Sequence, residues 1–191
     1  MAIETAKQYF FRYAWPCTEV ILADKRITQQ RFDNLKSAIE NNITPSREIL
    51  EDTYKVAIDN LKELAERINA ERNKGNNHNS NINDKNQNNQ IDYWDVEVIK
   101  AYFTEKVHNE FIESEKAFFS KFPPSIKDLC RIHKAVIEKI ENINGKRIVF
   151  VRYNVKSNVK SKERRCINLY NLELKQGDEV IIHYAYVIEK A

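Results

Sequence analysis

Glycine and proline are scarce, three and four in 191 residues. That excludes collagen-like or elastic repeats. It also leaves no phosphate loop of GxGxxG or GxxxxGK[ST] spacing. No apolar run approaches the ~18 residues a membrane span needs. The first eleven residues carry an acid early and no basic segment leading to a small-residue cleavage site, so no secretory signal is expected. HExxH, CxxC and GxSxG are missing, which removes the common zinc-hydrolase, redox and serine-hydrolase constellations. No acid/base or nucleophile pair stands out, and a non-catalytic role is expected. Cysteine is sparse as well. Cys17, Cys130 and Cys166 are odd in number and far apart. That suits thiols in a reducing cytoplasm and not a disulfide frame.

What is present is enough for a buried core. The chain is 42% hydrophobic and 31% charged, of a length that fits one or two domains. Its net charge of +3 is unevenly spread: residues 1–129 carry −3 and residues 130–191 carry +6. The two parts therefore have different roles, and the basic one suits an acidic partner or nucleic acid.

The first part reads as helix. Tyr9, Phe10, Tyr13 and Ala14 form an early apolar face that Pro16 interrupts. Thr44-Pro45-Ser46-Arg47-Glu48 is a helix start signal, with a capping hydroxyl, a first-turn proline and an acid near the positive end. From there Leu50, Tyr54, Ala57, Ile58, Leu61, Leu64, Ala65 and Ile68 recur at three- and four-residue steps, predicting an amphipathic helix over 45–72. Residues 73–90 are half asparagine with one apolar residue, Ile82. Such a stretch cannot offset its chain entropy by burial, and a disordered insertion is expected. A second helix is predicted over 92–119, antiparallel to the first, and Pro123-Pro124 ends it.

The pattern then changes to β-branched and aromatic runs: 135–137, 147–151, 166–169 and 179–184. Asn144-Gly145, Lys156-Ser157-Asn158 and Gln176-Gly177-Asp178 separate them as turns. The expected fold class is α+β. An α-helical domain over 1–125 would carry the insertion, and a small antiparallel, OB-like β-barrel would fill 126–191.

The same segment carries a family resemblance. Its tail runs Gly177-Asp178-Glu179-Val180-Ile181-Ile182-His183-Tyr184-Ala185-Tyr186-Val187-Ile188-Glu189-Lys190. Upstream lie Arg164-Arg165-Cys166-Ile167-Asn168-Leu169 and, further back, Leu129-Cys130-Arg131-Ile132-His133-Lys134-Ala135-Val136-Ile137-Glu138. In order and length these pieces resemble the HypC/HupF family of nickel–iron hydrogenase maturation chaperones over about sixty residues. The resemblance implies a HypC-like barrel and a carrier of iron bearing cyanide and carbonyl ligands. It implies two partners, an iron–sulfur scaffold protein and a hydrogenase large-subunit precursor. It maps the family's cysteine to Cys130 and its motif histidine to His183. A thiolate is a soft anionic ligand suited to such iron, and an imidazole can ligate beside it or hold its proton. Cys130 lies inside the chain where the family's cysteine begins it, and Tyr184 stands where the family has glycine.

Other residues carry open readings. Cys17 either packs or is a second thiol meeting Cys130 in space. His108, mid-helix without a paired Glu-x-x-His repeat, reads as a solvated or interface histidine. Tyr9, Phe10, Tyr13 and Trp15 form either bundle core or a partner-docking surface. Lys146, Arg147, Arg152, Lys160, Arg164 and Arg165, with Phe150 and Tyr153 interleaved, give the alternative of an RNA-binding barrel. A non-metal adaptor is the third reading.

Overall fold

The computed structural model describes residues 5–76, 90–104, 107–114, 118–154 and 161–191. Most of the expected insertion and the turn expected at 156–158 lie outside the described residues, as does Lys160. Helices come first: α1 (Ala6–Ala14), α2 (Thr18–Ala23), α3 (Gln29–Glu40), α4 (Arg47–Thr53), α5 (Lys55–Asn76), α6 (Val96–Thr104), α7 (Val107–Glu113) and α8 (Pro124–Cys130). Five strands follow: β1 (Ile132–Ile143), β2 (Lys146–Asn154), β3 (Ser161–Ile167), β4 (Glu179–His183) and β5 (Tyr186–Lys190).

Local chemistry sets the helix ends. Thr5 and Gln8 close a capping box on α1. Thr28 and Ser46 cap α3 and α4 through their hydroxyls. Pro16 has no N–H to offer the Arg12 carbonyl, which instead accepts from the Tyr170 hydroxyl at 2.8 Å. The single helix expected over 45–72 is interrupted at Tyr54, between α4 and α5. Tyr54 leaves the helical region there (φ −108°, ψ 38°), and its hydroxyl bonds buried Thr18 at 2.7 Å. Helix α5 also runs into the stretch expected to be disordered, as far as Asn76. The predicted 92–119 helix is likewise two helices, α6 and α7. Helices α5 and α6 run antiparallel, as the periodicity suggested. Arg72 meets Glu97 at one end and Asn60 lies near the Tyr102 hydroxyl at the other.

The strands close into a barrel in the order β1-β2-β3-β5-β4, the OB-like architecture expected from the sequence. It is mixed and not wholly antiparallel: β3 and β5 pair in parallel at Ile167 and Tyr186. The tail, Tyr186–Lys190, is itself a strand. Asn144 (φ 51°) and Gly145 (φ 74°) turn β1 into β2 with two positive φ values, as a tight two-residue hairpin needs.

Alternation along the strands sorts side chains between two cores. Val180, Ile182 and Val187 fill the barrel with Ala135, Ile137, Val149, Val151 and Cys166. Ile181 and Ile188 face outward into the helical core, beside Tyr13, Phe103 and Leu61. The Tyr13 hydroxyl reaches back to Glu189 at 2.7 Å. The aromatic run offered as a docking surface belongs to this core. Tyr9, Phe10, Tyr13 and Trp15 are all buried, so the chain's own packing takes the area a partner would need.

Shared packing makes the two parts one cooperative unit. We expect helical and aromatic circular dichroism to melt together. Ile188→Ala should lower stability by ~2–5 kcal/mol, as a fully buried aliphatic truncation does. Two separate transitions would contradict the shared core.

Candidate metal centre

Position four residues apart on a helix places side chains on one face. Cys17 ends the 3-10 turn Trp15–Cys17 at the α1–α2 corner, four residues from buried Tyr13 and Ile21, and is itself half-buried. His108 precedes Ile112 by four on α7. His183 follows Ile181 by two on β4 and so shares its outward, helix-facing side. These spacings deliver three donors to one seam between helices and barrel.

Their geometry is defined by the backbone around them. His183 is fully buried. Its Nδ1 lies 2.8 Å from the Tyr13 carbonyl, which only an N–H can satisfy. Nε2 then carries the lone pair, and it lies 3.5 Å from Cys17 Sγ. His108 packs edge-on to His183, ring centroids 5.0 Å apart at 79°. Its orientation follows from Asn109. The Asn109 amide bonds both backbone groups of Ile132, donating to the carbonyl and accepting from the N–H, each at 2.9 Å. This fixes the Asn109 oxygen, which faces His108 Nδ1 at 3.5 Å, so that nitrogen is the N–H side. The ligand atoms offered by Cys17, His108 and His183 lie within 4.8 Å of one another.

Cys130 ends α8 beside this cluster. It is fully buried among Val20, Ile112, Phe111, Ile126 and Tyr184. Its thiol lies near that of Cys17, and its backbone near the His183 ring. Cys130 and His183 therefore come to the same seam, but the thiol facing His183 Nε2 belongs to Cys17. Neither Cys17 nor His108 stands out in the strand motifs. Their only sequence signal is the four-residue spacing from Tyr13, Ile21 and Ile112. Reading His108 as solvated or interfacial is corrected by its 5% exposure.

Burial sets the protonation states. Desolvation pushes His108 down to about 4. Desolvation, then the neighbouring His108, hold His183 well below 6.5. Burial raises the Cys17 thiol well above its usual value and that of Cys130 to about 11. The seam thus holds neutral imidazoles with lone pairs and protonated thiols.

A separate polar cluster fastens the segment before β1. Asp128 accepts from Tyr153 (2.9 Å), Lys162 (3.1 Å) and Arg164 (3.2 Å). His133 stacks on Tyr153 and reaches the Asp128 carbonyl at 3.1 Å. Arg164 also donates to the Tyr184 carbonyl at 3.2 Å, and the Tyr184 N–H bonds the Leu129 carbonyl at 2.9 Å. These bonds hold Tyr184 in the left-handed region (φ 54°), which favours glycine.

The proposed basic surface is partly committed elsewhere. The Arg164 side chain is only 7% exposed. Arg147 donates to the Leu174 carbonyl, Arg152 pairs with Glu138, and Arg165 lies over Phe150. Lys146 is exposed. Cys166 lies in the barrel core.

Comparison of the chain with protein-family models, with curated proteins and with solved structures gave no match. Among the described residues, no helix is long and apolar enough to cross a membrane.

The buried histidines predict a pH dependence. Their folded-state values lie below the unfolded one, so the unfolded chain takes up protons first on acidification. Stability should fall as pH drops from about 6.5 to about 4. His108 alone should contribute about 3 kcal/mol of that loss. Denaturant melts of wild type and His108→Gln across this window check it; equal slopes would contradict the assignment.

Proposed function

We propose that this chain is a metal-holding accessory protein of metallocentre assembly, a carrier with iron as its cargo and not a catalyst. The observation that carries the reading is convergence at one buried seam. Cys130 and His183, singled out by resemblance to the hydrogenase maturation chaperones, come together there with a second thiol, Cys17. Soft thiols and neutral imidazoles suit low-spin iron carrying cyanide and carbonyl ligands. Binding would release the thiol protons that burial now retains.

The seam lies between two packed parts of the chain, so loading and release need the helices to shift against the barrel. A client docking on the helical part would supply that shift. In this reading the partners are an iron–sulfur scaffold protein and a hydrogenase large-subunit precursor, met in the cytoplasm.

Infrared spectroscopy tests the proposal on full-length protein purified anaerobically from a hydrogenase-competent host. Cyanide and carbonyl stretching bands are expected, together with their loss in Cys130→Ala. A blank spectrum from folded, iron-free wild type would overturn the carrier reading.

A further inference from the structure

The barrel motif implies Cys130 and His183, but the atoms that converge are a different set. Two of them, Cys17 and His108, come from helices outside the stretch that carries the family resemblance. We infer that Cys17, His108 and His183 are the protein ligands of a late first-row divalent metal ion of the zinc class. The ion is bound in a four-coordinate site whose fourth position opens onto a small apolar cavity. Cys130 is not a ligand; the site shares Cys17 and His183 with the iron-carrier reading, so the seam holds one metal or the other, but the assignment does not rest on that reading.

Bond lengths for zinc are about 2.3 Å to sulfur and 2.0–2.1 Å to nitrogen. A tetrahedral centre therefore separates its sulfur and nitrogen ligands by roughly 3.6 Å. Cys17 Sγ and His183 Nε2 stand 3.5 Å apart, already at that spacing. His108 completes the triangle, its ligand atom within 4.8 Å of the other two.

The outer contacts favour the same assignment. A ligating histidine ordinarily donates its other N–H to a carbonyl or carboxylate, which fixes ring and tautomer. His183 does so to the Tyr13 carbonyl. His108 has the Asn109 oxygen on its N–H side, and that amide is itself held by Ile132. Both second nitrogens are left as lone pairs. Cys17 becomes the thiolate ligand by giving its S–H proton to bulk water as the metal binds.

A second observation comes from the space beside the cluster. A cavity of about 60 Å³ is lined by Cys17 and His108 together with Val20, Ile21 and Phe111, and it extends to exposed Arg26. It gives the metal a route in. It also gives the fourth position room for a water-sized ligand, for which a cavity needs only ~10–15 Å³. One thiolate and two neutral imidazoles leave a divalent ion with a net single positive charge. The expected fourth ligand is accordingly a small anion or a water that loses its proton easily.

Cobalt(II) is the probe, titrated anaerobically into metal-free full-length protein. We expect one equivalent to bind, with the intense visible bands of four-coordinate cobalt and a thiolate-to-cobalt charge-transfer band in the near ultraviolet. Cys17→Ser, a single-atom change, should remove the charge-transfer band and weaken binding ~100-fold. His108→Gln should weaken it similarly. Cys130→Ser should leave spectrum and affinity unchanged. Far-ultraviolet circular dichroism of each variant confirms folding, and should His108→Gln fail it, Cys17→Ser still decides. Absence of tight binding in folded wild type would overturn the site. So would a charge-transfer band that survives Cys17→Ser, or one lost in Cys130→Ser. An infrared failure with cobalt bound through Cys17 would remove the iron-carrier reading and leave this site standing.

Discussion

One buried hydrogen bond organises the seam: His183 Nδ1 to the Tyr13 carbonyl at 2.8 Å. It joins the last strand-borne histidine of the barrel to the end of the first helix, 170 residues apart. Both groups are dry, so losing the bond would leave a donor and an acceptor unpaired at a cost of ~1–3 kcal/mol each. The bond therefore sets the registry of barrel against helices. It also decides which imidazole nitrogen is left with a lone pair. A structural contact and a chemical property arise from the same proton.

The apolar packing has the same double character. Ile181 and Ile188 leave the barrel on its outer face and enter the helical core, while their neighbours Val180, Ile182 and Val187 fill the barrel interior. A strand with both faces apolar cannot stand at a wet surface. The helices supply the cover, and in doing so bring Cys17 and His108 over His183. Asn109 pins α7 to the first residue of β1, and Tyr170 takes the carbonyl that Pro16 leaves open. Each fastening connects a helix or its edge to the barrel, within a few turns of the candidate site.

Much of the fold was legible because its signals are local. The strands announce themselves through β-branched runs, and Asn144-Gly145 fixes a hairpin by its demand for positive φ. The α5 stripe of Ile58, Leu61, Leu64 and Ala65 reads directly as a buried face. The break at Tyr54 was not legible, because it depends on a hydroxyl partner, Thr18, 36 positions away. The parallel β3–β5 contact is equally non-local. The site was half legible. His183 and Cys130 lie in ordered strand motifs, whereas Cys17 and His108 look like ordinary helix residues. Only the four-residue spacing from Tyr13, Ile21 and Ile112 marks them as inward-facing. Which inward residues meet across a seam is a property of packing, and no single helix encodes it.

The placement of the donors constrains what the site can be used for. A barrel alone would leave the outward-facing His183 without the Tyr13 carbonyl that fixes its tautomer. Covered by the helices, the ring is neutral throughout the physiological range, and two further donors lie within reach. In the proposed site the helical part is thus not an appendage, because it supplies Cys17 and His108. A metal held there would be shielded by the same packing that stabilises the chain, so affinity and global stability would be coupled: whatever binds the folded seam and not the unfolded chain stabilises the fold. The converse is the cost of closure. A bare ion would have the cavity beside Arg26 as its route, whereas an iron complex carrying its own ligands, as in the proposed carrier reading, would need contacts at Tyr13, Asn109 and Ile188 to open. In that reading the rate of exchange would be set by how readily those contacts open.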